Sequence, residues 1–434
     1  MSQSRTLRAK MTNRSRALKR FGKIGGFDIL ALLAIFACAG TPAAASGAGE
    51  PQWIDPWAPP SAAAEAAEAP LAKSNVPTLS DEGFWPVVRA IAAYKEIARR
   101  GGWGRIPDGE RLEQGIRDAR VALIRKRLIA TGDMAAGSGD PLLFDRGLAE
   151  GVRRFQARHG LPLDGTAGHA TIAAMNVPVA ARIRQLEVNL KRLNEVAPKV
   201  GQRYVFVNIA GQEVEAVENG RIALRKRVIV GKEDRQTPEY SSRINSVTLN
   251  PYWNVPQSIA VKDLLPKIKA DPRFLERMGI RVLKWSNGAE REVSSASVDW
   301  SSPAVTSRYR LRQDPSRLNS LGTVKVNFPN PYSVYLHDTP VKSLFSRGAR
   351  NFSSGCVRVE GVRDLAAWLL AGTGSWNRAR IDATIAGGEH MDAALAAPVP
   401  IYMLYLTAWV DSDGTVNFRN DVYRRDTKQS ALSN

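Results

Sequence analysis

The sequence predicts a multi-domain α+β protein. Apolar residues recur at helical spacing between about residues 84 and 196, whereas from Tyr204 onward short runs rich in β-branched residues are separated by Gly and Asn. A chain of 434 residues with 44% hydrophobic content is long enough for two or three domains with packed cores. We therefore expect a helical N-terminal half and a strand-rich C-terminal half.

The first 45 residues have the composition of an export signal. Eight Lys or Arg and no acid occur in the first 26 residues, and the apolar run ILALLAIFACA follows. Ala43 and Ala45 supply the small residues that signal peptidase needs. The run has 11 residues, and a membrane-spanning helix needs about 20. Residues 1–45 are therefore predicted to be a signal peptide, or an N-terminal anchor in the inner membrane if uncleaved, of a protein of the periplasm or cell envelope.

The positive charge of the chain does not indicate a nucleic-acid surface. Residues 1–45 contribute eight positive charges and one negative, so about +12 of the formal +19 belongs to the rest. That excess is spread along the chain, without a basic run that has interleaved aromatics. We expect no nucleic-acid partner. An anionic polymer or membrane surface is the expected alternative, or the charge serves solubility.

Composition and helical periodicity divide the N-terminal half into a linker, a helical scaffold and a small helical module. Residues 46–80 are rich in Pro and Ala and are predicted to be a linker. Residues 81–139, together with 178–199, are predicted to form one helical scaffold, and 140–177 a small helical module between them. The second scaffold helix lies in RLEQGIRDARVALIRKRLIA, and its expected buried face is Leu112, Ile116, Ala119 and Leu123.

The C-terminal half, residues 200–426, reads as one strand-rich domain followed by a tail at 427–434. The runs YVFVNIA, QEVEAVENG, IALRKRVIVG and INSVTLN are predicted strands, and KVNFPNP and SVYLHD resume the pattern. Between them, residues 261–322 are mixed and polar, with a helix-like start. This segment is predicted to be an insertion between strands of one sheet.

A single thiol follows the predicted signal. The other cysteine, Cys38, lies within that signal, so no internal disulfide is expected in the exported part. Cys356 is either a small buried core residue or a nucleophile. A nucleophilic thiol needs a base, and His337 ends a predicted strand 19 residues earlier. No metal or organic cofactor is expected.

The residues around Cys356 suggest a site for anionic intermediates. Gly355 would allow a tight turn into a helix that begins near Glu360, so backbone N–H groups could face a developing oxyanion, and Arg358 adds positive charge. Asp338 follows the base directly, but neighbouring side chains of a strand point to opposite faces. We therefore expect a backbone carbonyl to orient His337.

Two sets of motifs resemble known families. HDTP, the spacer KSLFSRGARNF and SSGCVRVE resemble the active-site signature of the L,D-transpeptidases, and FQARHGLPLDG followed by ATIAAMN resembles a peptidoglycan-binding domain. The resemblance extends from about Phe84 to Asp426, and it is to the large, multi-domain periplasmic branch of this family. It implies a catalytic domain with a mixed, sandwich-like β-sheet, a capping insertion at 261–322, a helical scaffold and a small three-helix peptidoglycan-binding domain.

The same resemblance implies the chemistry. Cys356 would attack the third residue of a tetrapeptide stem, D-alanine would leave, and an amine of a second stem would resolve the thioester into a 3–3 cross-link. His337 would act as general base and acid. The residues implied around the oxyanion and substrate are Tyr335, Gly355, Ser354, Arg358 and Trp253. Without a catalytic role, the aromatics would be core residues, the serine a turn residue and Arg358 a surface or ion-pairing side chain.

Three alternatives to this cysteine acyltransferase stay open at the sequence level. The chain could be a non-catalytic peptidoglycan-binding scaffold. The same thioester could pass to water or a D-amino acid, which gives carboxypeptidase or exchange activity. It could also pass to an amine of an envelope protein, which attaches that protein to the wall. The resemblance further implies acylation by carbapenems, which resemble the acyl donor.

Overall fold

A computed structural model describes residue 71 and residues 74–137, 139–286 and 288–427. The predicted signal or anchor at 1–45, most of the predicted linker and all but the first residue of the predicted tail lie outside these residues. Within the described ranges, none of the helices combines the length and the apolarity that crossing a bilayer requires.

The N-terminal half contains five helices among the described residues. They are α1 Asp81–Arg99, α2 Arg120–Ala130, α3 Arg146–Arg158, α4 His169–Met175 and α5 Val179–Val196. Side-chain caps fix two of the starts, because Ser80 accepts a hydrogen bond from the N–H of Gly83 and Asp145 from that of Leu148. Helices α1 and α5 pack together and share an apolar core with the outer face of the β-domain.

Helix α2 corrects the predicted scaffold. It begins at Arg120, because Gly115 turns the preceding chain in a left-handed conformation (φ 98°) and Leu112 bridges to Ala167. Of the predicted buried face, Leu112 is buried as expected, whereas Ile116 and Leu123 are exposed. The residues that α2 buries are Val121, Ile124 and Leu128, which share a core with α3 and α4. The module thus includes α2, and the scaffold consists of α1 and α5.

The predicted linker is also too long at its C-terminal end. Leu79 is fully buried against the core that α1 and α5 share, and the backbone N–H and hydroxyl of Thr78 both donate to the carboxylate of Glu215. The carbonyl of Asn75 accepts from the N–H of Ile222. Residues 74–80 therefore belong to the folded domain.

The C-terminal half is built on a nine-stranded mixed sheet. Its strands are β1 Arg203–Asn208, β2 Glu213–Glu218, β3 Arg221–Gly231, β4 Tyr240–Leu249, β9 Val324–Asn327, β10 Leu336–His337, β11 Asn351–Ser353, β12 Val357–Val359 and β13 Met391–Leu404. The strand order is β11-β3-β12-β10-β9-β4-β13-β1-β2, and a further pairing of β2 with β3 closes the sheet on itself. Alternate residues of these strands fill one apolar core, as the period of two requires.

The insertion forms a subdomain with its own sheet and core. Its elements are β5 Trp253–Asn254, α6 Gln257–Ile259, a π-helical turn at Ala260–Leu264, α7 Leu265–Ala270, α8 Phe274–Arg277, β6 Ile280–Ser286, β7 Ala289–Val293, α9 Val305–Arg308 and β8 Arg310–Gln313. The small sheet has the order β5-β8-β6-β7. Trp253 is buried in this core, and Tyr335 packs against both this core and that of the main sheet.

In the described part of the chain, two helices and a two-stranded sheet follow the thiol. They are α10 Val362–Leu370, α11 Arg378–Gly387, β14 Ala408–Val410 and β15 Val416–Phe418. The helix predicted near Glu360 begins only at Val362, and strand β12 separates it from Cys356. The predicted helix is thus confirmed within two residues, but its N-terminus does not adjoin the thiol, because Val357 to Val359 continue the sheet.

Candidate active site

Strand register brings the predicted base and thiol to one face of the main sheet. Strands β10 and β12 are parallel neighbours, with His337 opposite Arg358. Since side chains alternate along a strand, Tyr335 and Cys356, each two residues earlier, lie on the same face as this pair. Leu336 and Val357 point the other way, into the apolar core. The predicted site is therefore a polar face of an otherwise apolar sheet.

These side chains open on a cavity of about 280 Å³ between the main sheet and the insertion. The predicted residues that line it are Trp253, Tyr335, His337, Ser354, Cys356 and Arg358. Gly355 does not line the cavity. The insertion contributes the opposite wall, with residues of α6, the π-helical turn and the segment that precedes β9.

Gly355 allows the turn that presents the thiol. Its φ of 112° lies in the region that favours glycine. Its N–H donates to Ser353 Oγ at 3.2 Å, and that hydroxyl donates to the carbonyl of Cys356 at 2.5 Å. The Gly355 carbonyl accepts from Thr237 Oγ1 at 2.9 Å. Because the Gly355 N–H is already bonded, it is not a free oxyanion donor.

The Cys356 thiol is partly accessible and protonated at rest. Its Sγ donates to the carbonyl of Ser333 at 3.9 Å. Burial raises the pKa of Cys356, and hydrogen bonding from Tyr335 together with the charges of Arg358 and Lys325 opposes this rise. The net direction is upward. A nucleophilic role for this thiol would therefore require a base to remove the proton.

His337 is buried and neutral. Burial, with a contribution from the Arg358 charge, lowers its pKa to about 3. In the described part of the chain, Nδ1 has no hydrogen-bond partner at bonding geometry, although the backbone groups of Leu321 and Asp338 raise the pKa slightly. The backbone carbonyl expected to orient the ring stays a prediction, for which Leu321 is the candidate.

The carboxylate of Asp338, which follows His337 in the sequence, contacts other residues than the imidazole. Asp338 accepts from the N–H and the hydroxyl of Thr323 at 3.1 and 2.9 Å and forms an ion pair with Lys342. Burial alone would raise the pKa of Asp338, but Lys342 and these hydrogen bonds lower it overall. The side chain is thus engaged with Thr323 and Lys342, on the side that the strand alternation predicts.

The depressed pKa of His337 predicts acid sensitivity of the fold. The unfolded chain takes up a proton near pH 6.5 and the folded chain only near pH 3, so stability falls as pH falls through this window. The loss amounts to at most about 1.4 kcal/mol per pH unit. His337→Gln should show a shallower fall, measured by denaturant unfolding at a series of pH values. Equal slopes for both proteins would contradict the buried neutral imidazole.

Arg358 is a cation without a counter-ion. Burial lowers its pKa to about 10, so it remains charged at neutral pH. Its Nε has no hydrogen-bond partner, and no ion pair involves it within the described ranges. The alternative of an ion-pairing side chain therefore has no partner to support it. The geometry leaves this charge available to a bound anion.

The sequence analysis missed an arginine that joins the insertion to the thiol loop. Arg235 follows β3, and its Nη1 donates to Asp263 of the π-helical turn and to Ser354 Oγ at 2.9 Å. The Asp263 side chain is only 8% exposed. Ser354 is thus an acceptor for Arg235 as well as a residue of the cavity wall. Its position shortly after the predicted strand IALRKRVIVG was the only local signal, because its partners Asp263 and Ser354 are remote in sequence.

Loss of Arg235 should destabilise this junction. Arg235→Met leaves the nearly buried Asp263 carboxylate unpaired, and removal of one partner of such a pair costs about 3 kcal/mol. Thermal unfolding of Arg235→Met should show this loss. Adding Asp263→Asn should recover part of it, because the unpaired charge is gone. If the loss of unfolding free energy in the double variant equals the sum of the losses in the two single variants, the two residues are not coupled.

Comparison with family models matches two parts of the chain. Residues 202–384 match the model described as "L,D-transpeptidase catalytic domain", of the YkuD type. Residues 117–175 match the model described as "Putative peptidoglycan binding domain". The second match begins before α2, in agreement with the core that α2 shares with α3 and α4.

Comparison with known proteins gives similar descriptions. A Haemophilus influenzae protein named "Putative L,D-transpeptidase" is 37% identical over 243 residues, which is 56% of this chain and 48% of that protein. The match thus spans about half the length of the curated relative. An L,D-transpeptidase from Mycobacterium smegmatis is 15% identical, with 47% of this chain and 58% of that chain covered and a TM-score of 0.23. One from Stackebrandtia nassauensis is 14% identical, with 68% and 94% covered and a TM-score of 0.25.

Proposed function

We propose that this chain, which carries an L,D-transpeptidase catalytic domain of the YkuD type and a peptidoglycan-binding domain, is a cysteine acyltransferase that cross-links peptidoglycan. The observation that carries the proposal is the shared cavity of Cys356, His337 and Tyr335. Peptidoglycan lies outside the cytoplasm, so the proposal includes export to the cell envelope.

The first half-reaction forms a thioester. His337 takes the thiol proton as Sγ of Cys356 attacks the carbonyl of the third stem residue, and a tetrahedral oxyanion forms. The C–N bond to D-alanine then breaks, and its amine leaves with the proton from His337. The low pKa of His337 keeps the resting imidazole neutral, which is the form that can accept a proton, but it also makes the resting ring a weak base.

Of the two oxyanion donors expected from the sequence, we keep the Tyr335 hydroxyl and replace the Gly355 N–H. The Gly355 N–H is occupied by Ser353, whereas the backbone N–H of Cys356 meets no acceptor within the described ranges. We propose that this N–H and the Tyr335 hydroxyl stabilise the oxyanion. The free charge of Arg358 would meet the terminal carboxylate of the donor stem, because a buried cation favours an anionic ligand.

In the second half-reaction an amine attacks the thioester, which is the reverse of the step that released the amine of D-alanine. The side-chain amine of a second stem attacks the thioester, His337 takes its surplus proton, and the C–S bond breaks to restore the thiol. One amide replaces another, so the exchange needs no external source of energy. The insertion, with Trp253 and the Arg235–Asp263 contact, would cap the stem over the cavity and limit the access of water.

Mass spectrometry of the products tests the proposal. Purified protein is incubated with disaccharide tetrapeptides, and the expected products are free D-alanine and a dimer joined through two third residues. Tripeptide without dimer would indicate water as the acceptor, and exchange of the terminal residue would indicate a free D-amino acid. No D-alanine release from folded protein that still binds peptidoglycan would favour the scaffold and refute the enzyme.

A further inference from the structure

Lys325 is a second cation beside the thiol, and the steps above give it no role. It lies on β9 directly opposite His337, so its side chain shares the polar face of the sheet. Its Nζ lies 4.4 Å from the centroid of the Tyr335 ring. Burial lowers the pKa of Lys325, and the nearby Cys356 and Asp392 oppose this effect.

The ammonium of Lys325 has no conventional partner. Across the part of the chain that the structure describes, no hydrogen bond or ion pair joins it to an acceptor, and its polar contact is the face of Tyr335. Two other lysines of this domain show the usual arrangement, since Lys226 pairs with Asp364 and Lys342 with Asp338. A half-buried charge without a counter-ion costs stability. A purely structural lysine would avoid this cost.

The Tyr335 ring connects Lys325 to the reacting atoms. One face of the ring meets the ammonium, while the hydroxyl and backbone N–H of Tyr335 lie close enough to the thiol to lower the pKa of Cys356. A cation on the face of a phenol draws electron density from the ring, so the hydroxyl becomes a stronger donor. The positive charge also favours negative charge on sulfur in a site partly removed from water.

We infer that Lys325 is a positioning residue, which stabilises the thiolate of Cys356 and the following oxyanion through the ring and hydroxyl of Tyr335. Arg358 on β12 and Lys325 on β9 lie opposite His337 on its two sides, so their positive charges then act on the thiol from two directions. The inference rests on the proposed function only in taking Cys356 as the nucleophile.

Alkylation of Cys356 by iodoacetamide across pH tests the inference without any stem substrate. The thiolate displaces iodide, so the rate follows the thiolate fraction. Modification is assigned to Cys356 by peptide mass, because the full chain also contains Cys38. In Lys325→Met the inflection of the rate should move up by about 1 pH unit, because a nearby opposite charge is lost. Lys325→Arg, which keeps the charge and can stack, should restore the wild-type inflection.

Two comparisons separate this effect from a loss of packing. Lys226→Met removes a paired lysine away from the cavity and should leave the inflection unchanged. In a Tyr335→Phe background, Lys325→Met should shift the inflection less than it does with tyrosine present. An unchanged inflection in folded Lys325→Met or Lys325→Gln protein would overturn the inference. An equal shift in both backgrounds would overturn the route through the hydroxyl. Wild-type protein that shows the expected alkylation profile but forms no cross-link would instead count against the proposed function.

Discussion

Cys356→Ala is expected to reduce D-alanine release from tetrapeptide stems by about 10⁶-fold, to the detection limit, as for the loss of other catalytic nucleophiles. No other thiol lies among the described residues, since Cys356 is the one free cysteine there. The fold should persist, because the thiol is partly accessible and its hydrogen bond to the Ser333 carbonyl is weak. The released D-alanine is measured by its oxidation in a coupled enzyme assay.

The matched control for this variant is peptidoglycan binding. The core of the module that matches the peptidoglycan-binding family model shares no residue with the core of the main sheet. Under the proposed function, Cys356→Ala should therefore sediment with insoluble peptidoglycan as the wild type does. Unchanged D-alanine release by the variant would remove Cys356 from the reaction. Loss of both properties would point to misfolding, which thermal unfolding would detect.

His337→Gln is expected to slow acylation of Cys356 by about 10²- to 10⁴-fold, the usual contribution of a general base. Glutamine fills a similar volume but cannot accept the proton. Because the pKa of His337 is about 3, wild-type acylation should lack an acid limb from this residue down to about pH 4. Single-turnover acylation by a carbapenem at pH 4 to 8 measures both effects.

Asp338→Asn is the control for the base. Asp338 is engaged with Thr323 and Lys342, so its neutralisation should cost acylation far less than His337→Gln does. A comparable loss in the two variants would show that the carboxylate, rather than a backbone carbonyl, orients or charges the imidazole. An acid limb in wild-type acylation near pH 6 would contradict the depressed pKa.

Local sequence patterns predicted the main elements well where the pattern itself determines the structure. The β-branched runs after Tyr204 correspond to β1 to β4. Alternation of apolar side chains favours a strand regardless of which other strand pairs with it. Cys356 and His337 could be singled out as candidates because the motifs around them, HDTP and SSGCVRVE, are short and lie close together in the sequence. Their shared face then follows from the parallel register of β10 and β12.

The sequence-based predictions failed where the structure depends on contacts between residues that are remote in sequence. The buried face of α2 depends on the turn at Gly115 and the bridge from Leu112 to Ala167, which a helical pattern does not reveal. Arg235 contacts Ser354 across 119 residues of sequence, and Lys325 acquires its neighbours only through sheet register. The closure of the sheet by β2 and β3 is likewise a property of the tertiary structure.

Intact-mass measurement after incubation with a carbapenem tests the central claim most directly, because it reports the covalent intermediate at Cys356 without requiring any particular acceptor. The account predicts one stable adduct on the wild-type protein, mapped to Cys356, and none on Cys356→Ala. A folded wild-type protein without an adduct, or an adduct that persists in Cys356→Ala, would contradict it.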